Sequence, residues 1–127
     1  MRIETWLPQY LPLLQQAAAR YDLDWRLLAG IAMTESSGDP TAIGPLLRDG
    51  QQAEGLMQFL PSTFYGTAGA DASPQQVAEA GGYGVDGDRD GRVTPLYAAD
   101  AIFSAAHYLA ALGAHQDLAT ALQRYSG

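Results

Sequence analysis

The stretch Asp24-Trp25-Arg26-Leu27-Leu28-Ala29-Gly30-Ile31-Ala32-Met33-Thr34-Glu35-Ser36-Ser37-Gly38-Asp39-Pro40 decides how this chain is read. Asp24 is a good helix N-cap, because its short carboxylate can accept from the first free backbone N–H groups. Leu27, Leu28 and Ile31 then form an apolar stripe at helical spacing. Gly38-Asp39-Pro40 ends the run, so a helix is predicted from about Trp25 to Ser36. Glu35 breaks the pattern. It follows Ile31 by four residues and Leu28 by seven, and so shares their face. A carboxyl at the end of an apolar stripe faces the core or a cleft above it. Desolvation there disfavours the charged form and raises the pKa, which suits a general acid. The pattern alone leaves a second reading open, in which Glu35 caps the helix end or pairs with an Arg such as Arg48.

Outward from this helix, the other elements are also helical. Leu11 to Tyr21 reads as a helix, with Pro12 tolerated in its first turn. The residues before it, 1–10, read as an irregular lead-in, and 11–127 as one domain. Glu54 to Leu60 reads as a short helical turn, and Pro61 opens another to about Ala68. Ser73-Pro74 is a cap followed by proline at the first helical position, and it opens a short helix to about Ala80. Thr94-Pro95 repeats that signal before the longest predicted helix, which Gly113 stops near Leu112. Asp117 caps a last helix that ends at Tyr125-Ser126-Gly127. No segment alternates like a strand, although a small β-hairpin in the 41–53 region is compatible with the pattern. The class is mainly α.

Composition narrows the function. A chain of 127 residues suits one domain with one core. The net charge is -7 and the seven basic residues are all Arg, so neither nucleic acid nor an anionic membrane is an expected partner. There is no cysteine to hold a disulfide or a thiolate metal site. Met1 to Leu14 lacks a secretory signature, and no apolar run is long enough to span a bilayer. His107 and His115 lack zinc-ligand spacing, and Ser36 and Ser37 have no His partner in pattern. Phe59, Phe64, Tyr65 and Tyr108 are expected in the core, and Trp25 in the core or at its rim.

Asp86-Gly87-Asp88-Arg89-Asp90-Gly91 has the D-x-D-x-D-G spacing of a calcium loop. Alternate carboxylates converge on one hard cation, and Gly91 permits the turn. Arg92 would offer its backbone carbonyl at the seventh position. Tyr97 stands at the twelfth, where a bidentate Glu is usual and Tyr cannot serve. Asp100, one turn further, could reach back instead. A structural Ca²⁺ is expected and no organic cofactor. The other reading is a solvated acidic turn.

Three motifs in order carry a family resemblance. Ile31 to Pro40 resembles the catalytic-glutamate motif of the soluble lytic transglycosylase (SLT-type) family, which has a goose-type lysozyme-like fold. Gly55-Leu56-Met57-Gln58, followed by Phe59-Leu60-Pro61-Ser62-Thr63, resembles its Gly-Leu-Met-Gln motif. Asp100-Ala101-Ile102 and Ala105-Ala106-His107-Tyr108-Leu109 resemble its long helix. The similarity spans residues 11–127. It implies that Glu35 is the single catalytic acid and base, and that Met57 and Gln58 line a glycan groove. It also implies that Tyr125 supports Glu35. Some members carry a similar Asp-rich loop. Ser37 and Tyr83 are further groove candidates, Ser37 by its position beside the glutamate and Tyr83 as a rim residue in a Gly-rich loop. Two positions depart from the family. Ser126 stands where Asn follows the Tyr, and His107 stands where Asn is common. The family usually continues with another helix, which leaves one side of the groove open or for a partner to supply.

The reaction implied is cleavage of the β-1,4 bond between N-acetylmuramic acid and N-acetylglucosamine in peptidoglycan, with a 1,6-anhydromuramic product. A hydrolytic muramidase, or a wall-binding or assembly domain with little catalysis, are the alternatives. The expected place of action is extracellular, periplasmic or virion-associated, with delivery by something other than a leader in this sequence.

Overall fold

The computed structural model describes residues 3–126. Six helices follow in order: α1 (Ile3–Tyr21), α2 (Trp25–Ser36), α3 (Pro61–Tyr65), α4 (Pro74–Glu79), α5 (Ala98–Ala111) and α6 (Leu118–Ser126). The mainly α class expected from the sequence is what the chain adopts. Between residues 41 and 59 it forms only isolated bridges, Ile43 with Glu54 and Glu54 with Phe59. Gly44 N–H donates to Ala53 and Leu47 N–H to Gln51, so the segment folds back like a hairpin without forming strands.

Helix α5 lies at the centre. Asp100 through Ala106 are all buried, and α1, α2 and α6 pack around it. A helix buried on nearly every side needs small apolar residues so that its neighbours can approach, and Ala101, Ala105 and Ala106 meet that need.

Helix α1 starts eight residues earlier than the sequence suggests, at Ile3 instead of Leu11. The irregular lead-in is therefore corrected for residues 3–10, while 1 and 2 lie outside the described residues. Pro8 and Pro12 both sit inside the helix. Each removes one backbone bond, which costs about 3 kcal/mol in a helix interior. Both prolines are exposed. The opposite face buries Trp6, Tyr10 and Leu14 at four-residue spacing. Each such side chain contributes about 1.5–3 kcal/mol, enough to carry the helix through both prolines. The Trp6 ring packs against Gly38, where a Cβ would lie 2.8 Å from Trp6 Cδ1. This contact ties the start of α1 to the end of α2.

Two further boundaries move. Helix α5 begins after Tyr97, and Thr94-Pro95 precedes it in a turn. Asp100 explains the shift. From the third position of α5 its carboxylate reaches back to accept from Thr94 N–H at 3.1 Å and Gly87 N–H at 2.9 Å. An acid at that position satisfies donors ahead of the helix, as in a capping box. The expected helical turn over Glu54 to Leu60 is instead a tight loop. Glu54 and Phe59 exchange both backbone hydrogen bonds, 2.9 and 3.1 Å, around residues 55–58. Gly55 and Gln58 have φ of 83° and 52°, which a right-handed helix excludes.

Candidate active site

Helix α2 positions the central carboxyl. Asp24 caps it, accepting from Arg26 N–H at 3.0 Å. At the other end Ser37 adopts a left-handed conformation and closes the helix through its N–H to Met33. Glu35 lies in the last turn, half-buried. It lines a cleft of about 400 Å³ between α2 and α6, shared with Ile31, Thr34, Leu122, Tyr125 and Ser126. Most of this wall is apolar, and desolvation raises the Glu35 pKa above its ordinary value. Among the described residues the only ion pair joins Arg26 to Asp24, so Glu35 has no counter-charge and does not pair with Arg48. Glu54 lines a separate depression with Pro61 and Tyr65 and adds no second carboxyl to this cleft.

The 55–58 loop sets the spacing of the two helices. Ser36 Oγ donates to the Leu56 carbonyl at 2.7 Å, from the end of α2. Tyr125 Oη donates to the next carbonyl, that of Met57, at 3.0 Å, from α6. Two consecutive carbonyls of one strained loop thus hold both walls of the cleft. The Tyr125 phenol is driven well above its ordinary pKa, first by burial and then by the charges of Glu35 and Tyr108, so it stays a neutral donor. Ser36 was not identified from sequence as a positioning residue. Its hydroxyl is one turn from the Ala32 carbonyl in sequence, but its other partner lies twenty residues away.

The remaining groove candidates separate. Met57 is fully buried, so its side chain packs in the core and cannot line a groove; only its carbonyl serves the site. Gln58 lines a second depression of about 270 Å³ with Thr63, Tyr108, Arg124 and Tyr125. Its amide donates to the Ala42 and Gly55 carbonyls at 3.1 and 3.0 Å. Ser37 is exposed and lies outside the Glu35 cleft. Tyr83 stacks behind Tyr108, with ring centroids 4.6 Å apart, and Tyr108 in turn meets Tyr125 at 5.4 Å. Tyr83 thus supports the aromatic row behind the cleft and does not line it. Its carbonyl also meets His107 Nδ1 at 3.1 Å, which occupies the histidine at the departing position. Ser126 Oγ turns back to the Leu122 carbonyl at 3.1 Å within its own helix.

The expected core aromatics Phe59, Phe64 and Tyr65 are buried, whereas Tyr108 is half-buried and lines the second depression.

The acidic loop folds on itself. Asp86 accepts from Asp90 and Gly91 N–H groups at 3.2 and 2.8 Å, and Asp90 accepts from Arg92 N–H at 2.9 Å. Asp86, Asp90 and Asp100 bring one oxygen each within 4.8 Å of one another. Asp88 is exposed and stands outside this trio. The Asp100 carboxyl is pushed up to about 6, mainly by burial, with the charges of Asp88 and Asp86 adding to it. Three clustered carboxylates, one of them fully buried, are a donor set that a hard cation would fit.

The family described as Transglycosylase SLT domain matches residues 12–79. The chain is 44% identical over 61 residues to membrane-bound lytic murein transglycosylase C of Haemophilus influenzae, which is 48% of this chain and 16% of that protein. It is 38% identical over 80 residues to membrane-bound lytic murein transglycosylase F of the same species, 62% of this chain and 15% of that protein. It is 49% identical over 47 residues to a transglycosylase of Enterobacteria phage PRD1, 37% of this chain and 16% of that protein. The matched stretches span about one sixth of these relatives' own length. No solved structure matches. The family match takes in Glu35, the 55–58 loop and its Ser36 anchor, and covers more than half of the sequence: the chain belongs to the Transglycosylase SLT domain family.

Proposed function

We propose that this chain is a lytic transglycosylase of peptidoglycan with Glu35 as its only catalytic acid and base. The observation that carries the reading is a half-buried carboxyl in an apolar cleft, without counter-charge, whose pKa is raised by desolvation. Such a group holds its proton to higher pH than an ordinary glutamate. Glu35 donates that proton to the glycosidic oxygen between N-acetylmuramic acid and N-acetylglucosamine, and the C–O bond breaks. The substrate's N-acetyl oxygen stabilises the positive charge at the anomeric carbon, a substrate-assisted route that needs no second carboxylate. Glu35, now ionised, takes the proton from the 6-hydroxyl as that oxygen attacks the anomeric carbon. The 1,6-anhydromuramic end forms, Glu35 regains its proton and no water is consumed.

The test is digestion of purified peptidoglycan and mass spectrometry of the released muropeptides. Anhydro ends, lighter by one water, support the proposal. Reducing ends would make the chain a hydrolytic muramidase using the same Glu35. No release would favour a binding domain, or a groove that a partner completes. The site of action on this reading is the wall, reached from outside, from the periplasm or from a virion. No helix among the described residues is long and apolar enough to cross a membrane.

Tyr125→Phe tests the clamp. It removes one hydrogen bond, worth about 0.5–1.5 kcal/mol, so the melting temperature should fall only modestly. Turnover should fall by about tenfold, equivalent to about 1.4 kcal/mol, because the α6 wall loses its register with Glu35. Unchanged kcat in a folded variant would remove Tyr125 from the positioning role.

We also assign the acidic loop a structural Ca²⁺, held by Asp86, Asp90 and Asp100, with Asp88 and the Arg92 carbonyl available to complete the shell. Calcium should raise the melting temperature and chelator should lower it, because a ligand of the folded state stabilises that state. Asp90→Asn should abolish the difference. No shift in the unaltered protein would refute the site.

A further inference from the structure

The cleft that holds Glu35 and the depression that holds Gln58 share one wall, Tyr125. They are two arms of one groove passing over that ring. The protein carries a net charge of -7, yet Glu35 is the only acid lining either arm. Each arm also holds one arginine, Arg26 in the first and Arg124 in the second. Of the other depressions, one holds Glu54 without an arginine, one pairs Asp71 with Arg92, and one holds Asp86 with Arg20 and Arg89, away from Glu35.

Both arginines are exposed. Arg26 is oriented by Asp24, which accepts from Nε at 3.1 Å and from Nη2 at 2.8 Å. A guanidinium has five N–H donors, so this leaves Nη1 free to bind a carboxylate. The pair with Asp24 is open to solvent, so it contributes little and does not compete strongly with a ligand. Arg26 lies nine residues before Glu35 on α2, about 13 Å along the helix axis. Arg124 precedes Tyr125 in sequence and lines the second arm. A cation is therefore available in each arm, and neither pairs with the Glu35 carboxyl.

The geometry points to Arg26 and Arg124 as specificity-determining residues that read free carboxylates on the peptide stems of the glycan, one on each side of the cleaved bond. The inference rests on the proposed peptidoglycan substrate. In that polymer every second sugar carries a stem, and a stem bears carboxylates that can be free or amidated. A strand without stems offers only the lactyl carboxylate of each N-acetylmuramic acid, close to the sugar ring. Amidated stems keep their size and lose the charge.

The experiment measures binding of the Glu35→Gln protein, which holds substrate without cleaving it. The probes are soluble glycan strands with free-carboxylate stems and the same strands with amidated stems. The comparison protein adds Arg26→Gln and Arg124→Gln, and its melting curve checks that it folds. The Glu35→Gln protein should bind the free-carboxylate strands at least about tenfold more tightly, about 1.4 kcal/mol. High salt should narrow the gap, because the contacts are exposed. The added arginine substitutions should close it. A gap that persists in the folded triple variant, or no gap in the Glu35→Gln protein, no binding included, overturns the assignment. Turnover by the unaltered protein on the same strands tests the enzymatic reading separately. Cleavage without a gap defeats the arginine assignment alone, and a gap without cleavage defeats the enzymatic reading alone.

Discussion

Glu35→Gln is expected to reduce peptidoglycan cleavage by about 10³-fold or more while the protein stays folded. General acid–base catalysis contributes about 10²–10⁴-fold, and on the proposed mechanism one carboxyl serves as acid and then as base. Glutamine keeps the shape and can do neither. The stability of the variant separates this from a folding defect. Burial raises the folded-state pKa of Glu35 above its unfolded value. The folded protein therefore keeps a proton in a pH window where the unfolded chain has lost it. Stability of the unaltered protein falls as pH rises through that window. Glutamine carries no charge to desolvate. The variant should melt at the same temperature as the parent below the window and at a higher one above it. The same titration shapes the parent's activity, which should decline on the basic side as Glu35 loses its proton. Residual cleavage close to that of the parent would remove Glu35 from the chemistry.

Gly55→Ala is expected to be the most damaging single change outside the cleft. At φ 83° an alanine is strained by about 1–2 kcal/mol. Its Cβ would also overlap the backbone carbonyl oxygen of Pro95, which cannot swing aside as a side chain can. Overpacking of this kind adds about 1–3 kcal/mol. The sum, about 2–5 kcal/mol, is a large share of the stability of a domain of this size. The melting temperature should drop by on the order of 10 °C or more. Gly50→Ala is the comparison, since Gly50 has φ 86° and nothing within 4 Å of its Cβ position. It should lose only the conformational part. Equal losses in the two variants would show that the contact with Pro95 is unimportant. Activity should fall with stability in Gly55→Ala, because the loop it distorts holds Ser36 and Tyr125.

The motif Gly-Leu-Met-Gln is thus explained by backbone geometry more than by contact with a ligand. Gly55 is required by φ and by Pro95. Leu56 and Met57 are buried and offer their carbonyls to α2 and α6. Gln58 alone reaches a groove wall. The resemblance implies a groove-lining Met57, whereas the side chain is buried, because residue order does not show which side of a loop faces inward.

Local signals were legible where their causes were local. Asp24 and Ser73 cap α2 and α4 as their side chains suggest, and Ser73 with Gln76 forms a full capping box. Asp117 likewise binds Thr120 N–H at 3.1 Å at the head of α6. The face of Glu35 follows from helical periodicity alone. Asp100 could be seen in the sequence as a carboxylate able to reach back toward the acidic loop.

What the amino-acid order by itself determined was therefore the helical class, the bounds of α2 and α4, and the placement of one desolvated carboxyl at the end of an apolar stripe. Each depends on interactions within about four residues. Tertiary structure decided the rest. It carried α1 through Pro8 and Pro12, because burial of Trp6 and Leu14 outweighs two lost backbone bonds. It turned Met57 inward and set the cleft width through Ser36 and Tyr125, twenty and sixty-eight residues from their partners. It also placed Arg26 and Arg124 in two depressions that share Tyr125. Such contacts depend on which faces pack together in three dimensions, and no short-range pattern in the chain encodes that.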